Sequence, residues 1–498
     1  GARPLVLSLS AQSAMMPLLD TFRTEESYLR GVQDISYSVD AIVRMESFYA
    51  TYTEILSLVK FDDLDHQDRI DYLLLKNDIQ ESVRYIGEQR GEIERQKAYA
   101  PFAESSLALH AERRMGLYAD AEKSAQVIAD IRKSVAEGRK AFDAFFKDAS
   151  STDAPKAESN LVVEIAQNDA THKPPVAVSA DADENDDGQS DESAKKKQKM
   201  AACFLALQVS RQVGHHRHHL DQWFKHYERF QPGFAWWVKT EWDKTREELE
   251  QYEKHLREEL AGVKDDNEGP LLGEVIGEAG LDARIREEFI AYSARELLAI
   301  GERELAWCER EMDKVAEELG VSGWTNVMGV IKETVVPPGK QADLVAQYVR
   351  EAADFVKDNA LLRVPPVCEE TWRINMVDKN RQRTLPYALY GGQAVHVAYA
   401  TRDMERDDMC MSMRGNNLHA TRIVVAHEVI PGHHYQIYMS KHHRAYREDF
   451  HSHFFVEGWA LYWEMRLWNE GFPRDAKDRA GMLFWRAHRC ARIIVSLK

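Results

Sequence analysis

Apolar residues recur every three or four positions over long stretches of this chain, and this spacing constrains the fold more than any other feature. Ile128, Ile131 and Val135 are one example. A period near 3.6 places such residues on one face of an α-helix. Few Gly or Pro residues interrupt the pattern between residues 24 and 148, and a later helical stretch ends at Gly320, a residue typical of helix C-termini. The sequence therefore predicts a mainly α, multi-helix body.

One segment has the alternating pattern of a β-strand. Residues 394–401 read AVHVAYAT, in which small or apolar residues alternate with larger polar ones. We expect this strand to belong to a small sheet near the functional site. Residues 393–401 are also our candidate for an edge that pairs with an extended peptide by β-augmentation.

The composition changes between residues 149 and 200, where an acidic block containing DADENDDGQSDES precedes the basic run KKKQK without periodicity. Such segments are typical of disordered insertions. We therefore predict an N-terminal helical region at 1–148, a disordered insertion at 149–200, a second helical region at 201–360 and a catalytic region at 361–498. We expect the helical regions to form one compact body.

Charge and cysteine content exclude several classes of protein. The formal net charge is −17, with 82 acidic against 65 basic residues, so a nucleic-acid partner is not expected. The five cysteines are scattered without a CxxC pair, which argues against a disulfide framework or a zinc ribbon. No apolar run approaches the ~20 residues of a transmembrane helix.

The segment His427-Glu428-Val-Ile-Pro-Gly-His433-His434 carries the residue types of a zinc hydrolase. In the usual HExxH arrangement two histidines four positions apart face one ion. Here Pro431 occupies that fourth position, and a residue at i+6 on a regular helix points about 120° away. Because Pro431 and Gly432 permit a break in the helix, His433 is expected to turn back beside His427, with His434 as the alternative.

A third metal ligand is expected from a neighbouring helix, and Glu457 lies on the apolar segment FFVEGWALYWE. A carboxylate in such a setting needs a partner, which is either the metal or an arginine. Glu464, two turns further on, is a candidate to hold a ligating imidazole through its second nitrogen. Glu428, next to His427, is the candidate general base.

A second histidine cluster lies at residues 215–219 of the sequence. His215 and His219 are one helical turn apart and could share an ion, but the sequence identifies no third ligand for them. A solvated helix face is the simpler interpretation of this cluster.

These motifs resemble those of the family called domain of unknown function 885. The resemblance rests on FDDLDHQDRIDYLLLKNDIQ, FAWWVKTEWDKTREELEQY, RGNN, HEVIPGHHYQ and FVEGWALYWE, and it runs through most of the chain. It implies a helical, gluzincin-like relative of zinc metallopeptidases, with one zinc ion per chain at His427, His433 and Glu457 and with Glu428 at the catalytic position. Chains of this family usually continue further, so we expect a truncated chain or a separate C-terminal fragment.

Four residues are candidates for substrate binding. Arg414 and Asn417 of the RGNN segment are candidates for recognising a carboxylate or a carbonyl group. Alternatively, Asn416 or Asn417 caps the helix that carries His427. Tyr390 and Tyr399 are candidates to donate a hydrogen bond to an oxyanion.

The sequence thus favours a zinc-dependent hydrolase that cleaves peptide or peptide-like amide bonds, with short peptides as substrates. The alternative is a non-catalytic or storage-type helical protein that keeps a structural metal. A homo-oligomer is compatible with either, and a secreted, periplasmic or vesicular location is expected rather than a nuclear one.

Overall fold

The computed structural model describes residues 13–32, 37–150, 187–264, 272–273, 276–392, 394–450 and 452–498. Helices dominate these ranges and one three-stranded sheet accompanies them, which confirms the predicted mainly α fold with a small sheet. No helix in the described ranges is long and apolar enough to cross a membrane. The chain divides into two compact units, residues 1–277 and 278–498.

The N-terminal unit is built from helices that are mostly long and amphipathic. Its described helices are α1 (Met16–Val32), α2 (Val39–Ser57), α3 (His66–Gln96), α4 (Ala103–Arg114), α5 (Ala121–Ser150), α6 (Asp187–Phe230) and α7 (Phe234–Lys254). Gly233 adopts a φ of 92° in the turn between α6 and α7, a conformation that favours glycine.

Large aromatic side chains fill the core of this unit. Trp223, Trp242 and Tyr252 are almost completely buried among helices α5, α6 and α7. The Tyr252 hydroxyl donates to the carbonyl of Tyr99 at 3.1 Å, so its polar end is satisfied inside the core. The apolar faces predicted from helical spacing are therefore the faces that pack.

The predicted insertion differs from the structure at its C-terminal end. Helix α6 begins at Asp187, so residues 187–200 are helical, whereas residues 151–186 lie outside the described part of the chain. Lys and Gln are good helix formers, and a solvated helix tolerates a basic run. The predicted boundary at residue 360 also falls inside the second unit, because the chain divides near residue 277.

The histidine cluster of α6 is more buried than a solvated face would be. His216 is fully buried with Nδ1 3.1 Å from the Ser106 hydroxyl, and His219 is also buried. The Nε2 atoms of His215 and His219 are 2.7 Å apart, which fits one shared N–H. Within the described ranges, the groups of three or more side chains that could hold a metal ion do not include this pair.

The C-terminal unit contains shorter helices and the sheet. Its helices are α8 (Gly277–Glu287), α9 (Ala294–Leu319), α10 (Trp324–Lys332), α11 (Gln341–Asp358), α12 (Pro366–Thr371), α13 (Lys379–Gln382), α14 (Arg406–Gly415), α15 (Leu418–Glu428), α16 (His433–His442), α17 (His453–Asn469) and α18 (Ala476–Leu497). The strands are β1 (Arg373–Met376), β2 (Ala388–Gly391) and β3 (Ala394–Val397).

The sheet has the strand order β1-β3-β2, with β3 parallel to β1 and antiparallel to β2. Of the strand predicted at 394–401, only Ala394–Val397 forms a strand, β3, which is central and paired with a neighbour on both sides. The prediction that residues 393–401 offer an edge to a substrate is therefore wrong, and Gln393 lies outside the described residues. The strand β2 lies at an edge of this sheet.

Helix α15 is buried along most of its length, and a glycine in α18 allows this close packing. A Cβ atom on Gly481 would lie 2.4 Å from the carbonyl oxygen of His419, so a larger residue does not fit there. At its N-terminus, the Asn417 side chain accepts hydrogen bonds from the amides of His419 and Ala420 at 3.1 and 3.0 Å. Asn417 is thus a helix cap, as the structural alternative for RGNN predicted.

Candidate metal centre

The helix carrying His427 breaks where the sequence predicts. Helix α15 ends at Glu428, and α16 begins at His433. Pro431 has no N–H for a helical hydrogen bond, and the Gly432 amide instead donates to the Ala426 carbonyl at 3.0 Å. A Cβ on Gly432 would lie 1.6 Å from the His427 carbonyl oxygen, so only glycine fits this close approach. The break brings the start of α16 back against the end of α15.

Three predicted ligands converge as a result. The rings of His427 and His433 have centroids 4.7 Å apart and are nearly perpendicular. Glu457 of α17 reaches both, with its carboxylate oxygens 3.5 Å from His427 Nε2 and 3.7 Å from His433 Nε2. One ligand atom from each of the three lies within 4.8 Å of the others.

This donor set fits a zinc ion. Two imidazoles and one carboxylate are common zinc ligands, and bonds of 2.0–2.1 Å in a tetrahedron put ligand atoms about 3.3 Å apart. The observed separations from Glu457 are close to that value. The two histidine side chains are only 7% and 8% exposed, whereas that of Glu457 is 65% exposed. The group is therefore buried on the histidine side and open on the Glu457 side.

Two further side chains lie close to Nδ1 of His427, the ring nitrogen that does not face Glu457. Glu464 Oε1 lies 2.6 Å from His427 Nδ1, as the sequence predicts for a supporting carboxylate. Arg489 of α18 donates to the same oxygen at 2.8 Å, and its Nη2 lies 3.3 Å from His427 Nδ1. An Nδ1–H that donates to Glu464 leaves the Nε2 lone pair available for a metal.

Both ring nitrogens of His434 lie within hydrogen-bond distance of groups other than the three candidate ligands. The hydroxyl of Tyr390 lies 2.8 Å from His434 Nδ1, and His434 Nε2 lies 2.8 Å from the carbonyl oxygen of Cys368. The carbonyl oxygen can only accept, so Nε2 carries the proton and Nδ1 accepts from Tyr390. Both ring nitrogens are therefore used, which favours His433 over His434 as the second ligand. His433 Nδ1 has no hydrogen-bond partner among the described residues.

Glu428 lies at the end of α15, next to the first histidine, and is buried. Its Oε2 accepts a hydrogen bond from the backbone N–H of Tyr390 on β2 at 2.7 Å. Burial raises the pKa of Glu428 to about 7, although His427 and the Tyr390 amide act in the opposite direction. A carboxylate in this position can accept a proton near neutral pH.

The charges of the three converging groups are strongly coupled. Burial opposes a charge on His427, but hydrogen bonds with Glu457 and Glu464 raise its pKa to about 9. The hydrogen bond from His427 is the main cause that lowers the pKa of Glu457 to about 2. For His433, burial and then the nearby His427 lower the pKa to about 4. Glu457 is thus an ionised candidate ligand, and a metal ion bound here would displace the proton of His427.

The predicted substrate-binding residues do not join the group formed by His427, His433 and Glu457. The Tyr399 side chain is buried and its hydroxyl donates to the Val336 carbonyl at 2.5 Å, so it is not an oxyanion donor. Arg414 is half exposed and pairs with Glu333 at 2.7 Å. Asn417 caps α15 and donates to the Arg414 carbonyl at 3.0 Å. Tyr390 contacts the site through its backbone N–H and through His434.

A second group of potential ligands, His419, Asp475 and Asp478, has a structural explanation. Asp478 lies 2.7 Å from His419 Nδ1, 2.8 Å from Arg474 Nε and 3.6 Å from Arg422 Nη1. Hydrogen bonds from His419 and Arg474, together with the charge of Arg422, lower the pKa of Asp478 well below its usual range, despite burial. Two guanidinium groups already neutralise this carboxylate, so a cation has little to gain there.

Sequence reasoning missed Arg489, the Tyr390 amide and the Cys368 carbonyl. The latter two are backbone groups, which no side-chain pattern identifies. Arg489 had one local signal, because it follows the buried Met482 by seven residues and so shares its helix face. A charged residue on a buried face needs a partner.

The comparisons with known proteins agree with the predicted resemblance. A family model described as "Bacterial protein of unknown function (DUF885)" matches residues 30–498. This chain belongs to the DUF885 family. A comparison with curated proteins gives no match.

Two solved structures are similar to this chain. One is a "putative lipoprotein of unknown function" from Shewanella oneidensis, with a TM-score of 0.55 and 12% identity over 97% of this chain and 83% of that one. The other is a "putative lipoprotein" from Colwellia psychrerythraea, with a TM-score of 0.40 and 14% identity over 81% of this chain and 82% of that one. The likeness to the Shewanella protein shows a shared fold.

Proposed function

We propose that this DUF885 protein is a gluzincin-like zinc hydrolase that cleaves amide bonds in short peptides or peptide-like molecules. The observation that carries the proposal is the convergence of His427, His433 and Glu457, whose ligand atoms lie within 4.8 Å of one another beside the buried Glu428. Metal-assisted hydrolysis needs two imidazoles and a carboxylate as ligands, and a second carboxylate nearby that does not bind the metal.

Each residue of the site has a role in this proposal. A bound zinc ion supplies Lewis acidity, which polarises a carbonyl group and makes water a better nucleophile. Glu428 takes the proton from the attacking water and delivers it to the leaving amine. The Tyr390 amide holds the Glu428 carboxylate at 2.7 Å and so fixes its orientation before the reaction. Glu464 and Arg489 orient His427.

The open side of the site and the adjacent sheet edge suit an extended substrate. Glu457 is largely exposed, whereas both histidines are buried, so a substrate approaches from the Glu457 side. The Tyr387 carbonyl accepts from the Ala398 amide on the β3 side, so the alternate residues Ala388 and Tyr390 point their backbone groups to the outer edge of β2. The Tyr390 N–H at this edge binds Glu428, so a peptide would pair with the Ala388 groups and the Tyr390 carbonyl. Peptides commonly pair with such an edge.

The proposal is tested by measuring metal content and activity together. Zinc per chain is determined by mass spectrometry of the protein purified without chelators, and hydrolysis is followed on a library of short peptides. Glu428→Gln keeps the size and shape of the side chain and one oxygen acceptor, but removes its basicity. We expect one zinc ion per chain in both proteins and hydrolysis only in the wild type.

Two outcomes would overturn the proposal. If Glu428→Gln hydrolyses peptides as fast as the wild type, the activity does not use this site. If both proteins hold zinc and neither hydrolyses any peptide, the metal is structural, as the non-catalytic alternative predicts. The secreted, periplasmic or vesicular location stays a prediction.

A further inference from the structure

A separate cleft of about 890 Å³ opens in the C-terminal unit beside helices α13 and α14. This volume lies within the range of sites for small organic ligands. The three metal-ligand candidates and Glu428 do not line it. Its walls come from α10, α13, α14, the start of α15 and α18, so several elements of one unit build it.

Cationic side chains outnumber anionic ones in the lining. Asp407 and Asp408 are the acidic residues, whereas the basic residues are Lys332, Lys379, Arg383 and Arg414. This balance is opposite to that of the whole chain, whose formal charge is −17. Because Glu333 offsets the charge of Arg414, three basic residues face two carboxylates in the lining, and this small positive excess in a concave surface favours anionic ligands.

Two of these cations are free to bind. Arg414 is paired with Glu333, and the Lys379 ammonium group donates to the Asp403 carbonyl at 2.9 Å. Lys332 and Arg383 are exposed, and neither has an ion-pair partner within the ranges that the structure describes. Arg383 can bind a carboxylate in bidentate geometry.

Part of the remaining lining is apolar and adaptable, beside polar residues such as Gln382 and Ser412. Met328, Met404, Met411 and Phe484 contribute side chains to the cleft. Methionine side chains are flexible and polarisable, so they adapt to apolar groups of different shape. The cleft therefore suits a ligand that combines an anionic group with an apolar one.

Strand β2 connects the cleft to the metal centre. Tyr387, immediately before β2, lines the cleft, and the Tyr390 amide hydrogen-bonds to Glu428. Three residues of extended chain span about 10 Å. A peptide that lies along β2 with a scissile bond at Glu428 would thus reach the cleft within two or three residues.

We propose that this cleft binds the C-terminal carboxylate of a short peptide substrate and the apolar side chain next to it. The inference rests on the proposed peptide hydrolysis and adds the substrate class, namely peptides with a free C-terminus. Water adds across one C–N bond, the N-terminal product gains a carboxylate, and the released C-terminal product of two or three residues gains a free amine.

The test is a binding experiment on the zinc-free protein, so it does not depend on catalysis or on a carboxylate binding the metal. The two probes are the N-acetylated peptide Ala-Ala-Ala-Phe with a free carboxylate and the same peptide with a C-terminal amide. Isothermal titration calorimetry measures both. We expect the free carboxylate to bind at least about tenfold more tightly, as a charge-assisted hydrogen bond implies.

Variants show whether the preference comes from the cleft. The double substitution Lys332→Gln with Arg383→Gln is expected to remove the preference for the carboxylate. Lys314→Gln, on α9 outside the lining, changes the formal charge of the same unit and is expected to preserve it. Equal affinity for both peptides, no detectable binding, or a preference that survives the double substitution would overturn the inference. Peptide hydrolysis that depends on Glu428 would still support the proposed function.

Discussion

Glu464 Oε1 accepts a hydrogen bond from Nδ1 of His427 at 2.6 Å, inside the C-terminal unit and away from the open side of the metal centre. This bond fixes both the orientation and the tautomer of the imidazole. A candidate metal ligand held in this way is already oriented for binding, because Nε2 offers its lone pair to the ion once the ion has displaced the Nε2 proton.

Glu464→Gln is expected to weaken zinc binding without removing a ligand. Loss of such a supporting partner typically lowers metal affinity about 10- to 100-fold. Competition with a chromophoric chelator measures the change. Glu470→Gln, at the end of the same helix, is the matched control and should bind zinc as the wild type does. Equal affinities for the wild type and Glu464→Gln would show that this hydrogen bond does not matter to the metal.

His433 and His434 should behave differently when each is replaced by Asn. His433→Asn removes a proposed ligand, so zinc affinity should fall by more than the about 10- to 100-fold typical of a lost supporting group. His434→Asn breaks the contacts with Tyr390 and Cys368 and should mainly lower the free energy of unfolding, by about 1–3 kcal/mol. Chelator competition and urea denaturation of both variants separate the two effects. The reverse pattern would make His434 the ligand.

Gly432→Ala should disrupt the candidate metal centre by displacing the backbone, because it replaces no candidate ligand. The added Cβ would lie 1.6 Å from the His427 carbonyl oxygen, so α15 and α16 must move apart. We expect a loss of at least about 2 kcal/mol in the free energy of unfolding, together with weaker zinc binding. Gly458→Ala is a stringent control beside Glu457, since a Cβ there meets no atom within 4 Å. If Gly432→Ala is as stable as Gly458→Ala, the close contact between Gly432 and the His427 carbonyl oxygen is incorrect.

The buried His216 of the N-terminal unit should make stability depend on pH. Burial, and then the nearby His215 and His219, lower the pKa of His216 to about 3. In the unfolded chain the value is about 6.5, so the unfolded state binds the proton first as the pH falls. The stability contribution is therefore complete above about pH 6.5 and is lost progressively towards pH 3.

Comparison with His216→Phe isolates this contribution, because Phe keeps an aromatic ring but cannot titrate. Between pH 7 and pH 5 the wild type should lose about 2 kcal/mol more of its unfolding free energy than the variant. Urea denaturation at the two pH values gives both differences. An identical loss in the two proteins would mean that His216 is not buried in its neutral form.

The interruption between His427 and His433 was predictable because it depends on local backbone chemistry. Pro431 lacks an N–H and Gly432 lacks a Cβ, and the structure ends one helix at Glu428 and starts the next at His433. The choice between His433 and His434 was not predictable in the same way. It depends on Tyr390 and Cys368, which are 44 and 66 residues away in sequence.

The pairing of the three strands was also not predictable from the sequence. All three strands have four residues, so their length did not separate them; β3 was predicted because the alternating run 394–401 extends beyond the strand itself. A strand's own sequence also does not state which neighbours it pairs with. The edge beside Glu428 therefore became apparent only with the strand order β1-β3-β2.

The single oxygen that Glu464 shares between His427 and Arg489 has a consequence for the order of folding. It joins α15, α17 and α18, because Glu464 and Arg489 lie 37 and 62 positions after His427 in the chain. Contacts between such distant residues form only after the intervening chain has been ordered. The complete candidate metal centre should thus be among the last features of its unit to form, and tight zinc uptake during refolding would report that α18 has docked.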